Sequence, residues 1–361
     1  MPERVYPSRA NRLPILAPFS QRLLPHRKRP GALPPIPTAM PPSVPHDPSS
    51  EPLLKDGPHS RPGTRGWCIA EACRLEATAE KPGNVHPGAS FPDLDHAELV
   101  AAGRAIAPAI EAAPSQPLGR TILAAVSASH RVTRSNANLG IILAIAPLAS
   151  VPGAEIGRPF RPDDVAAVLR RLTHEDAADT WEAIALAAPG GMGRRGRWDL
   201  AGPPPDDLLA AMAAAAPHDQ IARLWTEGWG SLEDGLVSDL LAEVATGLPL
   251  EEGLVRGFLR QLAREPDTLI ARRHGPDVAA EVSRRAAAVI GQTGASWRDA
   301  AAAFDRSLRH PRRINPGTTA DLCAAALYIL LRDGRLPIGD MALRAASSAA
   351  GHDRLSHEAR G

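Results

Sequence analysis

Beyond Trp67 this chain offers almost no place for a β-strand, because Ala, Leu and Arg dominate and runs of Val, Ile or Thr alternating with polar residues are scarce. Ala, Leu and Arg lose little conformational freedom in a helix, so propensity and periodicity point the same way. The expected fold class is all-α, a compact multi-helix bundle. Candidate helices fall at about 67–80, 95–113, 117–133, 138–149, 162–171, 174–188, 205–216 and 219–228, then at about 233–247, 250–264, 276–291, 296–309, 318–333 and 338–349. No internal repeat suggests a solenoid, so residues 66–350 are expected to form one all-α catalytic domain. Residues 1–65, rich in Pro, Arg and Ser without a sustained period, read as a disordered tail, and 351–361 as a flexible C-terminal one.

Several boundaries have local causes. Pro82 and Gly83 oppose continuation of the helix that carries Trp67, Ile69, Cys73 and Leu75. Thr173 with Asp176 three residues later forms an acidic variant of the capping box, and Asp95 and Pro162 mark other starts. Gly190-Gly-Met-Gly193 is expected to end the helix that Thr173 opens, and Thr318 or Thr319 to cap a buried helix with Asp321 in its first turn.

Charge narrows the partners. Lys and Arg number 41 against 40 Asp and Glu, so no global field favours nucleic acid or an anionic membrane, and any phosphate site must be local. No apolar run of about 18 residues suggests a membrane span, and Arg27, Lys28 and Arg29 precede no signal-peptide core. Three cysteines, Cys68, Cys73 and Cys323, have neither CxxC spacing nor the density of a disulfide framework, so reduced thiols in the cytoplasm are expected.

The richest polar segment is Glu76-Ala-Thr-Ala-Glu-Lys-Pro-Gly-Asn-Val-His-Pro-Gly-Ala-Ser-Phe-Pro-Asp93. Glu76 and Glu80 lie one helical turn apart, which allows base catalysis or cation binding; it also suits a solvated helix end. Lys81 can balance that charge, Asn84 can orient a hydroxyl or phosphate, and His86 can exchange a proton near neutral pH. Asn136 and Asn138 stand at the mouth of the apolar helix that follows, as ligands of an anion or as ordinary caps. Asp176 and Asp179, at i and i+3, can share Mg²⁺, although capping alone explains Asp176. Arg272, with Arg273 and His274, is a candidate clamp for a polyphosphate, and Asn315 and Asp321 can complete the same pocket. Gly190, Gly191, Gly193 and Gly196 interleave with arginines in what can be a phosphate loop or a solvated basic one. Trp225 and Trp229 show helical spacing and read as core. No GxSxG elbow, HExxH helix or paired CxxC appears.

Taken in order, Lys81-Pro-Gly-Asn-Val-His-Pro-Gly88, Asn136-Ala-Asn-Leu-Gly-Ile-Ile-Leu143 and Asn315-Pro-Gly-Thr-Thr-Ala-Asp-Leu322 resemble the triphosphoribosyl-dephospho-CoA synthase family, over roughly residues 67–333. Pro189-Gly-Gly-Met-Gly193 and Pro266-Asp-Thr-Leu-Ile-Ala-Arg272 look like a branch of it. The resemblance implies a cytoplasmic all-α transferase that joins ATP to 3′-dephospho-CoA with release of adenine, using Mg²⁺. Within such a site the residues themselves suggest catalytic roles for Glu76 and His86, substrate contacts from Lys81, Asn84, Asn136, Asn138, Arg272, Asn315 and Asp321, and metal contacts from Asp176 and Asp179. The wording at His86-Pro87 and at residues 138–140 differs from the carrier-protein enzymes of the family. The acceptor can therefore be another cofactor precursor, or the fold can serve a non-catalytic nucleotide-binding protein.

Overall fold

The computed structural model describes residues 61–133, 137–153, 157–187, 200, 202–292, 294 and 296–336. Residues 1–60 of the tail expected over 1–65, the last helix at 338–349 and the glycine-rich loop at 190–196 lie outside them, whereas Thr64 and Arg65 already cap and open the first helix. Helix follows helix: α1 (Arg65–Thr78), α2 (His96–Ala105), α3 (Ala107–Glu111), α4 (Leu118–Thr133), α5 (Leu139–Ala149), α6 (Pro162–Leu169), α7 (His174–Ala187) and α8 (Leu208–Ala215). Then come α9 (Gln220–Glu227), α10 (Gly230–Leu232), α11 (Ser238–Ala245), α12 (Leu250–Arg264), α13 (Thr268–His274), α14 (Pro276–Ile290), α15 (Ser296–Arg309) and α16 (Gly317–Arg332). Among the described residues the only β pairing is two isolated bridges, His86 with Ala89 and Phe91 with Leu94, both in the loop after α1.

Two helices are apolar on nearly every side, and such helices belong in the centre of a bundle. One is α5, buried from Ile141 to Ala149; the other is α16, buried over almost its whole length. They pack on each other, with α1 and α12 also laid against α16. The caps work largely as local chemistry dictates. Thr64 Oγ1 accepts from the Trp67 N–H to open α1, and Asp95 forms a full capping box with Glu98 at α2. At α7, Asp176 Oδ2 accepts from the Thr173 N–H at 2.9 Å while Thr173 Oγ1 accepts from the Asp176 N–H at 3.2 Å, which is the expected reciprocal box.

Three expectations need correction. The helix expected over 95–113 divides at Ile106, because Pro108 has no N–H to continue the ladder and instead sits at the start of α3. The helix expected from 233 begins at Gly230 and passes through one π-helical turn, Glu233–Val237, before α11. Neither Thr318 nor Thr319 caps α16: Pro316 occupies that position, and both the N–H and the hydroxyl of Thr319 donate to Asp267 Oδ2, at 2.7 and 2.8 Å. Asp321 consequently lies beyond the first turn.

Pro147 inside α5 leaves the carbonyl of Leu143 without its usual donor four residues on. The indole Nε1–H of Trp225 donates to that carbonyl at 3.0 Å, and Trp229 Nε1–H donates to the adjacent Ala144 carbonyl at 2.9 Å. Both tryptophans are buried, so they belong to the core, as their spacing suggested. Trp225→Phe keeps an aromatic ring but removes the N–H half of the indole, orphaning a buried acceptor and leaving a small cavity, and is expected to lower unfolding free energy by at least about 1–3 kcal/mol. Urea denaturation checks this; an unchanged midpoint would show that the Leu143 carbonyl finds another donor.

The three cysteines are free and buried. Burial is the main cause that pushes the Cys68 thiol up to about 12 and raises Cys73 and Cys323 as well, so all three behave as apolar core groups rather than nucleophiles. No described helix is long and apolar enough to cross a membrane.

Candidate active site

Polar groups from distant parts of the chain line one cavity of about 610 Å³. Glu76 comes from the last turn of α1, Asn84 from the loop after it, Gly140 from the start of α5, Asp219 from the cap of α9, Arg272 and Arg273 from α13, and Asn315 and Asp321 from the segment that opens α16. Apolar residues complete the lining, among them Trp181 and Ile184 of α7 and Leu208, Ala211 and Met212 of α8. The Glu76–Asp93, 137–140 and 315–321 segments therefore meet, although they are separated by up to about two hundred residues of sequence.

Why they meet is visible in the backbone. Gly83 has φ +82° and lies so close to the chain at 314–316 that an added Cβ would sit 2.8 Å from the Ile314 carbonyl and from Pro316. Asn84 Nδ2 then donates to Asn315 Oδ1 at 2.6 Å. Arg309 is salt-bridged to Asp305 at 2.8 Å and donates to the Asn84 carbonyl, while Asp305 Oδ1 accepts from the Gly83 N–H at 2.8 Å. The turn that presents Asn84 is thus clamped on both sides. Asn84 is 5% exposed, and its Oδ1 has no hydrogen-bond partner.

The acids of the cavity differ sharply in their surroundings. Lys81, fully buried, sets its Nζ 3.0 Å from Glu76 Oε1 and also donates to the carbonyls of Glu76 and Ala79. It therefore stands behind Glu76 and is not itself part of the lining. Asp219 Oδ1 caps α9 through the N–H groups of Ile221 and Ala222, and its Oδ2 meets Arg272 at 3.1 Å. Asp93 pairs with Arg313 at 2.6 Å, and the Arg313 guanidinium lies 3.6 Å from the centre of the Phe91 ring. Asp321 has no such partner among the described residues. Burial raises its carboxyl well above the usual carboxylate range; the charges of Glu76, Asp267 and Asp219 push the same way, and Arg272 opposes them. Asp267 sits just outside, raised by burial but holding hydrogen bonds from Thr319 and Ile270 that tie α13 to α16.

Arg272, Arg273 and Arg313 all line the cavity, and partial burial together with the charges of the other two lowers the pKa of Arg273. Arg272 and Arg313 are paired with Asp219 and Asp93, whereas Arg273 makes no ion pair among the described residues, so the three together are the candidate for a local anion site in a chain of near-zero net charge.

Of the residues singled out in the sequence, Glu76, Asn84, Arg272, Arg273, Asn315 and Asp321 line this cavity, and Lys81 supports it. His86 is buried outside the lining. Its Nδ1 accepts from the Gly88 N–H at 3.2 Å, and burial, followed by the charge of Arg309, lowers its pKa. Asn138 is buried and donates to Ser129 Oγ at 3.2 Å; Asn136 falls outside the described residues. Asp176 and Asp179 are absent from the lining. Asp176 Oδ1 accepts from the Gly119 N–H at 2.8 Å and its Oδ2 from both groups of Thr173, so its oxygens join α4 to α7. That engagement does not fit a shared cation, and no cluster of three metal-ligating side chains occurs among the described residues. Asp219, Arg313 and Trp181 were not anticipated as lining residues. Asp219 was visible only as a helix start, and Arg313 and Trp181 carried no local signal at all.

The model of the family described as ATP:dephospho-CoA triphosphoribosyl transferase matches residues 63–338. No curated protein matches the chain. The crystal structure of an Archaeoglobus fulgidus protein assigned as a triphosphoribosyl-dephospho-CoA synthase is similar with a TM-score of 0.52 at 24% identity, covering 65% of this chain and 99% of that one. That likeness supports the all-α fold, and the sequence match spans the three lining segments and every described helix. The chain belongs to the ATP:dephospho-CoA triphosphoribosyl transferase family.

Proposed function

We propose that this transferase moves the triphosphoribosyl group of ATP onto a hydroxyl of 3′-dephospho-CoA or a closely related cofactor precursor, with release of adenine. The observation that carries this reading is that one cavity is lined both by guanidiniums, Arg272, Arg273 and Arg313, and by carboxyl groups, Glu76 and Asp321 among them. A triphosphate matches the first by bidentate, charge-assisted hydrogen bonds. Mg²⁺ would enter with ATP as part of the substrate complex.

The carboxyl groups suit the reacting ribose. As the acceptor oxygen approaches C1′ and the bond to the adenine nitrogen breaks, positive charge builds on the ring carbon and ring oxygen. A nearby carboxylate stabilises that charge and can take the hydroxyl proton, by the logic that serves glycosidic bonds. Glu76, paired with Lys81 at 3.0 Å, stands at the wall of the cavity. The unpartnered Oδ1 of Asn84 is an acceptor for a ribose or acceptor hydroxyl. The apolar lining of Trp181, Ile184 and Met212 offers a dry surface to a base.

Incubation with ATP, Mg²⁺ and dephospho-CoA tests the reading by chromatography. Adenine formed only when the acceptor is present is the expected result. ADP or AMP instead would replace it with phosphoryl or adenylyl transfer, and calorimetric ATP binding without any product would make the protein a nucleotide sensor. Adenine release with another precursor, and none with dephospho-CoA, would change the acceptor alone.

A further inference from the structure

We propose that Asp321 is the general acid that protonates the departing adenine, leaving Glu76 to receive the proton of the acceptor hydroxyl. The assignment rests on the proposed reaction and goes one step beyond it, by dividing the two carboxylates into separate roles.

Elimination among the acids of the cavity supplies the geometric argument. Four line it: Glu76, Asp93, Asp219 and Asp321. Glu76 is held by the Lys81 ammonium at 3.0 Å, Asp93 by Arg313 at 2.6 Å, and Asp219 by Arg272 at 3.1 Å in addition to two backbone N–H groups. Each of those three has a cation in contact. Asp321 accepts no hydrogen bond and makes no ion pair with any described residue. It also has room that only a glycine provides: a Cβ on Gly140 would stand 2.1 Å from its Oδ2. Gly140 therefore lets the carboxyl of Asp321 lie against the start of α5 at the cavity wall.

The groups that face Asp321 come from several elements. Glu76 on α1, Asp219 before α9 and Asp267 before α13 all favour its neutral form, Arg272 on α13 opposes them, and burial outweighs the rest. A carboxyl group whose neutral form its surroundings favour, beside a carboxylate in contact with an ammonium, is the arrangement that separates an acid from a base in one site. His86, the other residue with proton-transfer chemistry, has its Nδ1 occupied by the Gly88 N–H and lies outside the lining.

The protons balance. The Asp321 carboxyl gives its proton to a ring nitrogen of adenine as the C1′–N9 bond breaks and its electron pair stays with the base. The acceptor oxygen forms the new bond to C1′, and its proton passes to Glu76. Adenine leaves neutral; Glu76 then loses a proton to solvent and Asp321 regains one.

The test is single-turnover adenine release with dephospho-CoA, comparing the wild-type protein with Asp321→Asn. An acid of this kind contributes about 10²- to 10⁴-fold, so the variant is expected to slow by that factor with ATP affinity retained. Nicotinamide ribosyl 5′-triphosphate discriminates further, since nicotinamide departs neutral without being protonated: wild type and variant should then release it at similar rates. Equal slowing with both leaving groups would make Asp321 structural and overturn the assignment, as would an unimpaired variant with ATP. The wild-type pH profile needs no variant: adenine release must fall as pH rises through the pKa of the acid, and a rate that stays flat or climbs until unfolding also overturns it. No adenine from the wild-type protein defeats the proposed reaction and this assignment together, whereas adenine from the wild type with an unimpaired variant defeats the assignment alone.

Discussion

Lys81→Met is expected to lower the unfolding free energy by about 3–5 kcal/mol, because it removes one partner of a buried ion pair and leaves the other uncompensated. Lys81 is fully buried, and its Nζ serves Glu76 Oε1 together with two main-chain carbonyls at the end of α1. Methionine fills nearly the same volume, so packing changes little while three acceptors lose their donor. The neighbouring helix has no substitute to offer, since α16 presents Cys323 and other apolar groups there. Urea denaturation measures the loss, and Lys81→Met combined with Glu76→Gln supplies the control. If the cost comes from a stranded charge, the double variant should be more stable than Lys81→Met alone. A single variant within about 1 kcal/mol of wild type would show that Glu76 reaches water or a proton instead, and would weaken its assignment as the base of the site.

How much of this was legible in the sequence depended on whether the cause was local. The boundaries of α12 and α15 follow from periodicity and sit at the expected residues, 250–264 and 296–309. The Thr173 and Asp176 box was readable because both partners lie within one turn. By contrast α13 escaped notice. Its seven residues are too few to show a period, although Asp267 before it and Gly275 after it, with φ +95°, are an ordinary cap and stop. The start of α16 was misassigned to a threonine because the group that satisfies Thr319 is Asp267, fifty-two residues earlier in the chain. No window of sequence contains that pairing.

The site divides along the same line. Glu76, Asn84, Arg272, Asn315 and Asp321 were found because unusual residues cluster around helix ends, and the structure brings those ends to one cavity. The roles of individual acids were not legible, since they depend on which cation each one meets. Asp176 looked like a metal ligand from its i, i+3 spacing with Asp179, yet its nearest donor across the bundle is the Gly119 N–H, where an added Cβ would come within 2.5 Å of the Asp176 backbone. A close crossing of α4 and α7 thus fixes Asp176 to a structural task that its own helix does not reveal.

Arg272→Gln is expected to weaken ATP binding by roughly 10- to 150-fold, the equivalent of losing a charge-assisted contact of about 1.5–3 kcal/mol. Of the three arginines at the cavity it is the most enclosed, with its side chain 14% exposed, whereas 39% of the Arg313 side chain is exposed and solvent and salt screen that charge. Its Nε is buried without a partner, so one donor remains to be used when Asp219 has taken another. The cap of α9 should survive the substitution, because Asp219 caps through Oδ1 and meets Arg272 through Oδ2. Circular dichroism should therefore be unchanged while calorimetry shows the weaker affinity. AMP separates phosphate recognition from base recognition: if Arg272 meets the outer phosphates, AMP affinity should change far less than ATP affinity. Equal losses for the two nucleotides would move Arg272 to the nucleoside end of the cavity, and undiminished ATP binding would shift the anion site to the exposed mouth formed by Arg273 and Arg313.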